Sequence, residues 1–423
     1  MTDFITELTW RKQIHNTTPN IADQLKKEST SGYIGFDPTA SSLHIGNLAT
    51  LMLLVHFQRA GHRPIALVGG ATGMVGDPSG KSEERNFLDE ATLRFNQDGI
   101  RSQLEKFLDF NVKSNPAKIV NNYDWFKNIG FLQFLRETGK HLTVNYMMSK
   151  DSVKKRLETG ISFTEFSYQL LQAYDYLHLY KTEGCKVQMG GSDQWGNITS
   201  GTELIRRIDG GEAYALTCPL VTRSDGSKFG KSATGENVWL DATKTSPYKF
   251  YQFWLNVRDE DLPTLLRVFT LFDENTITEL EQNSNPNVAK KALAEEVTTR
   301  VHSITETEKA AAASEILFGK GTVETLQNTD ETTLMEVFEG VPHIKIHESI
   351  WHETANCVDL LSTVTASKIF SSKGEARKMI DAGGVSINKQ KITLQDHQFE
   401  LLKGKYLLVQ KGKKNYFLVE IIK

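Results

Sequence analysis

Cysteine is scarce: Cys185, Cys218 and Cys357 lie far apart and form no Cys-x-x-Cys. That argues against a disulfide framework and against a cysteine zinc site. Ten prolines and 31 glycines are too few for a collagenous or wholly disordered chain. Long hydrophobic runs are missing too. A membrane helix needs roughly 18–20 apolar residues, and the longest run, Leu48 to Phe57, is broken by Thr50 and His56. The amino terminus, MTDFITELTWRK, carries acids where a signal peptide would have a basic start and an apolar centre. A reducing compartment, the cytoplasm, is therefore expected, without membrane attachment. Nor does one sign of charge dominate: 49 Lys+Arg against 52 Asp+Glu leave −3. Taken over the whole chain, that value argues against a nucleic-acid binder. What remains is an ordinary soluble composition, 39% apolar and 24% charged over 423 residues, long enough for about two to four domains.

Over the first 220 residues short apolar runs alternate with helical patterns, which reads as βα units around a mostly parallel sheet. Strands are expected at Gly32–Phe36, Pro64–Val68, Lys118–Val120 and Lys186–Met189. A helix is expected from His44, where Leu48, Leu51, Met52 and Val55 repeat at i, i+3, i+4, i+7. Helical patterns cover roughly 89–109 and 123–158, and a strong helix is expected over 164–180. Beyond Thr222 a loop rich in Gly, Ser and Lys gives way to helices without intervening strands. Residues 320–355 hold few apolar periods and several acids, and read as a linker with short elements. A small α/β pattern follows from Cys357.

The glycine-rich loop 69–80 fits neither familiar phosphate motif. Gly80-Lys81-Ser82 could end a P-loop, but its first glycine would fall at Val75, and Gly70, Gly73 and Gly76 miss the dinucleotide spacing. His44-Ile45-Gly46-Asn47 is better placed. It opens a helix directly after a strand and a tight loop, where free backbone N–H groups and the helix dipole favour phosphate. Lys228-Phe229-Gly230-Lys231-Ser232 lies 184 positions after His44. Two lysines in such a loop can close over a polyphosphate and neutralise a leaving group. On the helix 164–180, Tyr168, Gln172 and Asp175 recur at i, i+4, i+7 and so share a face within roughly 40–60°. A phenol, an amide and a carboxylate suit a polar pocket wall, whereas a solvated face would show Lys and Glu.

In this order the two signatures resemble those of class I aminoacyl-tRNA synthetases, usually spelled His-Ile-Gly-His and Lys-Met-Ser-Lys-Ser, with departures at Asn47, Phe229 and Gly230. The Tyr168/Gln172/Asp175 trio, the run Tyr33-Ile34-Gly35-Phe36-Asp37-Pro38-Thr39 and the run Gln188 to Asn197 are similar to motifs of the bacterial tyrosyl branch. The resemblance covers essentially the whole chain. It implies that Tyr33 and Asp175 flank a phenolic hydroxyl, that Asp77, Tyr168 and Gln172 hold an ammonium group, and that Gln188 and Gln194 sit beside the amino acid. Gly35, Asp37, Gly46, Asn47, Thr50, Gly191, Asp193 and Ser232 would address ATP. Thr39, His44, Lys81, Arg85, Lys228 and Lys231 would address its phosphates. ATP with Mg²⁺, L-tyrosine and tRNA(Tyr) are the implied substrates, with no tightly bound cofactor, no protein-held metal and a homodimer as the assembly.

The implied fold class is α/β. A Rossmann-like parallel-sheet catalytic domain (1–222) would carry a helical insertion at about 100–160 as dimer contact. A mobile lysine loop (223–235), an all-α anticodon-side domain (236–320), a linker (321–356) and a small α+β RNA-binding module of S-four type (357–423) would follow. Residues 357–423 hold 12 Lys+Arg against 6 Asp+Glu, a local charge of +6 that leaves −9 for the rest. The near-neutral total thus conceals a basic end suited to phosphates. A tryptophanyl enzyme on the same scaffold, a nucleotidylyltransferase and a non-catalytic RNA-binding relative are the competing readings. An indole would leave Tyr33 and Asp175 unmet. Nucleotidylyltransferases are typically shorter, and a non-catalytic relative should have lost Asp77, Gln194 or Lys231, all of which are present.

Overall fold

A computed structural model describes residues 3–423 apart from 80–87, 158–159, 232–234, 319–321, 340, 395, 397 and 413–414. The chain forms two compact units: Met1–Ser246 with Phe253–Val301, and Pro247–Gln252 with His302–Lys423.

The first unit is built on a six-stranded sheet of β1 (Asn16–Thr17), β2 (Ser31–Phe36), β3 (Arg63–Val68), β4 (Lys118–Asn121), β5 (Cys185–Gly191) and β6 (Tyr214–Cys218). Their order is β1-β6-β5-β2-β3-β4, parallel throughout except for β1 on β6. Parallel neighbours need crossovers, and helices supply them: α1 (Ile45–Arg59), α2 (Glu90–Phe107), α3 (Phe163–Glu183) and α4 (Trp195–Asp209). Helices on the sheet explain why β3 and β6 are near-continuous apolar runs, with every residue of β6 buried.

From β2 the chain winds outward through β3 to β4, then returns to lay β5 on the other side of β2. Ladder pairing of β2 with β5 ends at Tyr33 opposite Gln188. Pairing of β2 with β3 continues to Phe36 opposite Val68, and of β5 with β6 to Gly191 opposite Cys218. The two central strands therefore part over their carboxyl ends, and the crevice of an open α/β sheet lies at this reversal of strand order.

Three expectations are corrected. Strand β4 belongs to the main sheet, so the helical excursion begins after Asn121 rather than near 100. It consists of short pieces, Tyr123–Phe126, Phe131–Glu137, Val144–Met148 and Asp151–Leu157. The helices Leu262–Phe269, Glu274–Gln282 and Pro286–Val301 lie in the first unit, so 236–320 is not a compact unit of its own. One reason is Arg11, only 1% exposed, which donates to the carbonyls of Arg267, Thr270 and Phe272 at the end of Leu262–Phe269. A buried cation satisfying orphan helix carbonyls ties the amino terminus to those helices.

The third correction concerns the linker. Residues 321–356 hold the helices Val323–Asn328, Glu331–Val337 and Glu348–Glu353 and the strand β7 (His343–His347). Strand β7 pairs in parallel with β11 (Asn415–Ile422) in a second sheet that includes β8 (Val385–Ile387), β9 (Gln390–Lys391) and β10 (Tyr406–Lys411). Its Ile344 and Ile346 join the core of that sheet while His343, Lys345 and His347 face out, a period of two too short to stand out among acids. In the stretch 366–380 only Lys373–Asp381 is helical, because Ala366 and Ser367 take left-handed conformations with φ 49° and 59°.

Candidate active site

The crevice between β2 and β5 opens into a cavity of about 600 Å³. Sixteen of the expected site residues line it. Tyr33, Gly35, Asp37 and Thr39 come from β2 and its exit, and His44, Gly46, Asn47 and Thr50 from the start of α1. Tyr168, Gln172 and Asp175 come from α3, Gln188, Gly191, Asp193 and Gln194 from β5 and its turn, and Asp77 from the glycine-rich loop. Lys228 and Lys231 are exposed and do not line it. Lys81, Arg85 and Ser232 fall outside the described residues.

At the inner end Asp175 is 2% exposed. Its Oδ2 accepts from Asn122 Nδ2 at 3.0 Å and its Oδ1 from Trp125 Nε1 at 2.9 Å. Burial pushes its carboxyl up to about 8, against the pull of those two donors. The Tyr33 hydroxyl is buried with no hydrogen-bond partner among the described residues, and so are Gln172 Oε1 and Gln188 Oε1. Burial, with the Asp175 charge second, keeps the Tyr33 phenol protonated well above its ordinary range. Buried polar atoms without partners are rare in folded proteins, and three on one cavity wall mark a site that a polar ligand completes.

A chain of hydrogen bonds fixes this end. Tyr168 Oη donates to Asp37 Oδ2 at 2.8 Å and Thr72 Oγ1 to Asp37 Oδ1 at 2.7 Å. Asn122 Nδ2 donates to Thr72 Oγ1 at 3.0 Å, and the Ala71 N–H to Asn122 Oδ1 at 2.7 Å. Tyr168 is thus paired with Asp37. Asp77 instead accepts from Gln194 Nε2 at 2.8 Å and from the Ser79 N–H at 2.9 Å. Burial also raises the Asp193 carboxyl, with the neighbouring Asp77 adding to it.

The outer end is the first turn of α1. His44 is its N-cap, and the His44 N–H donates to Asn47 Oδ1 at 3.1 Å, so Asn47 closes the helix start where the usual spelling has His. A Cβ on Gly46 would stand 2.8 Å from the His44 ring; glycine lets the imidazole lie against that turn. The segment 237–239 lies between this turn and the lysine loop. The Ile45 N–H donates to the Val238 carbonyl, and the Val238 N–H to the Gly230 carbonyl. Isolated bridges join His44 to Trp239 and Lys231 to Asn237. Gly230 has φ +101°, a conformation that disfavours the serine usual at that place.

Asn122, Trp125, Thr72 and Trp239 were not foreseen. Asn122 had a signal, since it follows the carboxyl end of an expected parallel strand, where ligand-facing residues gather. Nothing local marked Trp125 or Trp239. Among the described residues, no group of three or more His, Cys, Asp or Glu could hold a metal ion.

A cavity at the reversal of a parallel sheet, bounded by a histidine-started helix and hung beside a lysine loop, defines a class I synthetase site. A family model described as tRNA synthetases class I (W and Y) matches residues 25–319, and one described as the Tyrosine--tRNA ligase SYY-like C-terminal domain matches 333–419. The chain belongs to the tyrosine–tRNA ligase family of aminoacyl-tRNA synthetases, ATP-using enzymes of protein biosynthesis. Proteins named Tyrosine--tRNA ligase from Cytophaga hutchinsonii and Parabacteroides distasonis are 62% and 59% identical to it, over 99% of both chains in each case. A C-terminally truncated mitochondrial tyrosyl-tRNA synthetase from Aspergillus nidulans superposes with a TM-score of 0.67 at 29% identity, covering 74% of this chain and 93% of that one.

Proposed function

We propose that this chain activates L-tyrosine with ATP and transfers it to tRNA(Tyr). The observation that carries this is the Tyr33 hydroxyl, without a partner among the described residues, beside the buried Asp175 carboxyl group held by two donors. A phenolic hydroxyl entering there accepts from Tyr33 and donates to Asp175. Phenylalanine leaves both without a partner, and an unmet buried polar group is costly. Asp77, Tyr168 and Gln172 receive the ammonium group, while Gln188 and Gln194 flank the carboxylate.

A carboxylate is already a nucleophile, so the reaction needs no general base. One carboxylate oxygen bonds the α-phosphorus in line, the bond from that phosphorus to the bridging oxygen breaks, and pyrophosphate leaves with the electron pair. Rate then comes from positioning and from charge aimed at the phosphorus. His44 and the α1 amino terminus meet the phosphates with Thr39, and Lys228, Lys231, Lys81 and Arg85 neutralise pyrophosphate as it departs. Asp37, Thr50, Gly191 and Asp193 address adenosine. ATP enters as its Mg²⁺ complex, the ion belonging to the substrate. A hydroxyl of the terminal tRNA ribose then attacks the activated carbonyl and releases AMP.

Two interactions complete the proposal. The exposed Phe131, Leu132, Val144 and Met148 of the helical excursion, with Phe163 at the start of α3, form the face of a homodimer. Within the second unit, residues 357–423 are a module of S-four type whose exposed Lys368, Arg377 and Lys378 contact RNA phosphates. The enzyme would work in the cytoplasm; no helix among the described residues is long and apolar enough to cross a membrane. Pyrophosphate exchange with ATP and each of Tyr, Trp and Phe tests the assignment. Exchange with tyrosine alone is expected, and exchange driven by Trp, or by none, overturns it.

A further inference from the structure

The indole of Trp125 is gripped at two places by one helix. Its Nε1–H donates to Asp175 Oδ1 at 2.9 Å, and its face lies on the His178 ring, with centroids 4.3 Å apart and planes 18° from parallel. Asp175 and His178 are i and i+3 on α3, so they present neighbouring positions to the same partner. One turn earlier, Tyr174 packs on Phe126 at 5.4 Å, which leaves His178 as the stacked ring beneath Trp125. An indole N–H lies in the plane of its ring. Whatever fixes that plane also fixes the direction of the donor, and Trp125 is only half-buried in its short helix.

We propose that His178 is a positioning residue for tyrosine selection, acting by holding the Trp125 plane so that its N–H stays on Asp175. This rests on the assignment of Asp175 to the phenolic hydroxyl. Burial holds the His178 imidazole below its ordinary range, so near neutrality it stacks as an uncharged aromatic ring. A flat ring offers parallel stacking that an aliphatic side chain of similar volume does not. Asn122 holds the other oxygen of Asp175, so loss of the stack should loosen the carboxylate without emptying the site.

Pyrophosphate exchange on the full chain, with tyrosine and with phenylalanine, tests this in His178→Ala, His178→Phe, His178→Leu, Trp125→Phe and the His178→Ala/Trp125→Phe pair. His178→Ala should raise KM for tyrosine about 3- to 10-fold, leave kcat and KM for ATP unchanged, and narrow the preference for tyrosine over phenylalanine. His178→Phe should restore the parent values and His178→Leu should not. On the Trp125→Phe background, His178→Ala should add nothing. A parent-like tyrosine KM in His178→Ala, full rescue by leucine, or an undiminished further loss in the pair would each overturn the proposal. A parent chain without tyrosine-dependent exchange would instead remove the functional assignment beneath it.

Discussion

The two ends of the cavity are made differently. At the inner end, Tyr168, Asp37, Thr72, Asn122, Asp175 and Trp125 hold one another through side-chain hydrogen bonds of 2.7–3.0 Å before any ligand arrives. At the outer end the fixed parts are backbone, the first turn of α1 and the segment 237–239, while Lys228 and Lys231 stand exposed beside it. Under the proposed assignment, selection is built in advance, whereas charge neutralisation waits for side chains that reach in. A rigid polar shell makes sense where a single hydroxyl must be told from its absence. Long cationic side chains suit a leaving group whose charge appears only during reaction.

Three experiments bear on that contrast. Asp175→Ala should lower kcat/KM for tyrosine by about a thousandfold, since it truncates a buried, hydrogen-bonded carboxylate, and should leave KM for ATP unchanged. Pyrophosphate-exchange kinetics with each substrate varied would read both. Lys231→Ala should lower kcat by about a hundredfold with the tyrosine KM unaltered, the pattern of a contact made only in the transition state. If Lys231→Ala raised the tyrosine KM as strongly as it lowered kcat, the division into two ends would fail.

The smallest effect is one of stability against pH. Folded, the Asp175 carboxyl keeps its proton up to about pH 8; unfolded, it releases it near the ordinary value of about 4. Between those values the folded state binds more protons than the unfolded one, so the contribution of Asp175 to stability falls as pH rises and levels off above 8. The non-ionisable Asp175→Asn should therefore gain on the parent by several degrees of Tm between pH 5 and pH 8. Thermal melts across that range would show it, and a constant gap would mean that burial does not perturb this group.

Much of the site was legible in the chain. His44 and Gly46 sit at a helix start directly after a strand, and Tyr168, Gln172 and Asp175 share one face of α3 and reach one cavity. The partners of those residues were not legible. Tyr168 pairs with Asp37, and the donors to Asp175 are Asn122, just before the short helix Tyr123–Phe126, and Trp125 within it. Strand β7 falls in a stretch that reads as a linker with short elements, because two isoleucines in five residues are a faint signal. The total charge of −3 would have dismissed nucleic acid, had it not been resolved into −9 and +6.

Sequence alone determined what depends on neighbours within a turn or two: helix faces, the glycine positions of tight turns, the chemical types offered to a ligand and the uneven charge. Tertiary structure decided which of those groups meet. Asn122 and Asp175 are 53 positions apart, and Tyr168 and Asp37 are 131 apart. They touch because the chain turns back at β5 and parts from β2 beyond Tyr33. Strand order is settled by the burial of whole elements against one another, and no local window of sequence contains it.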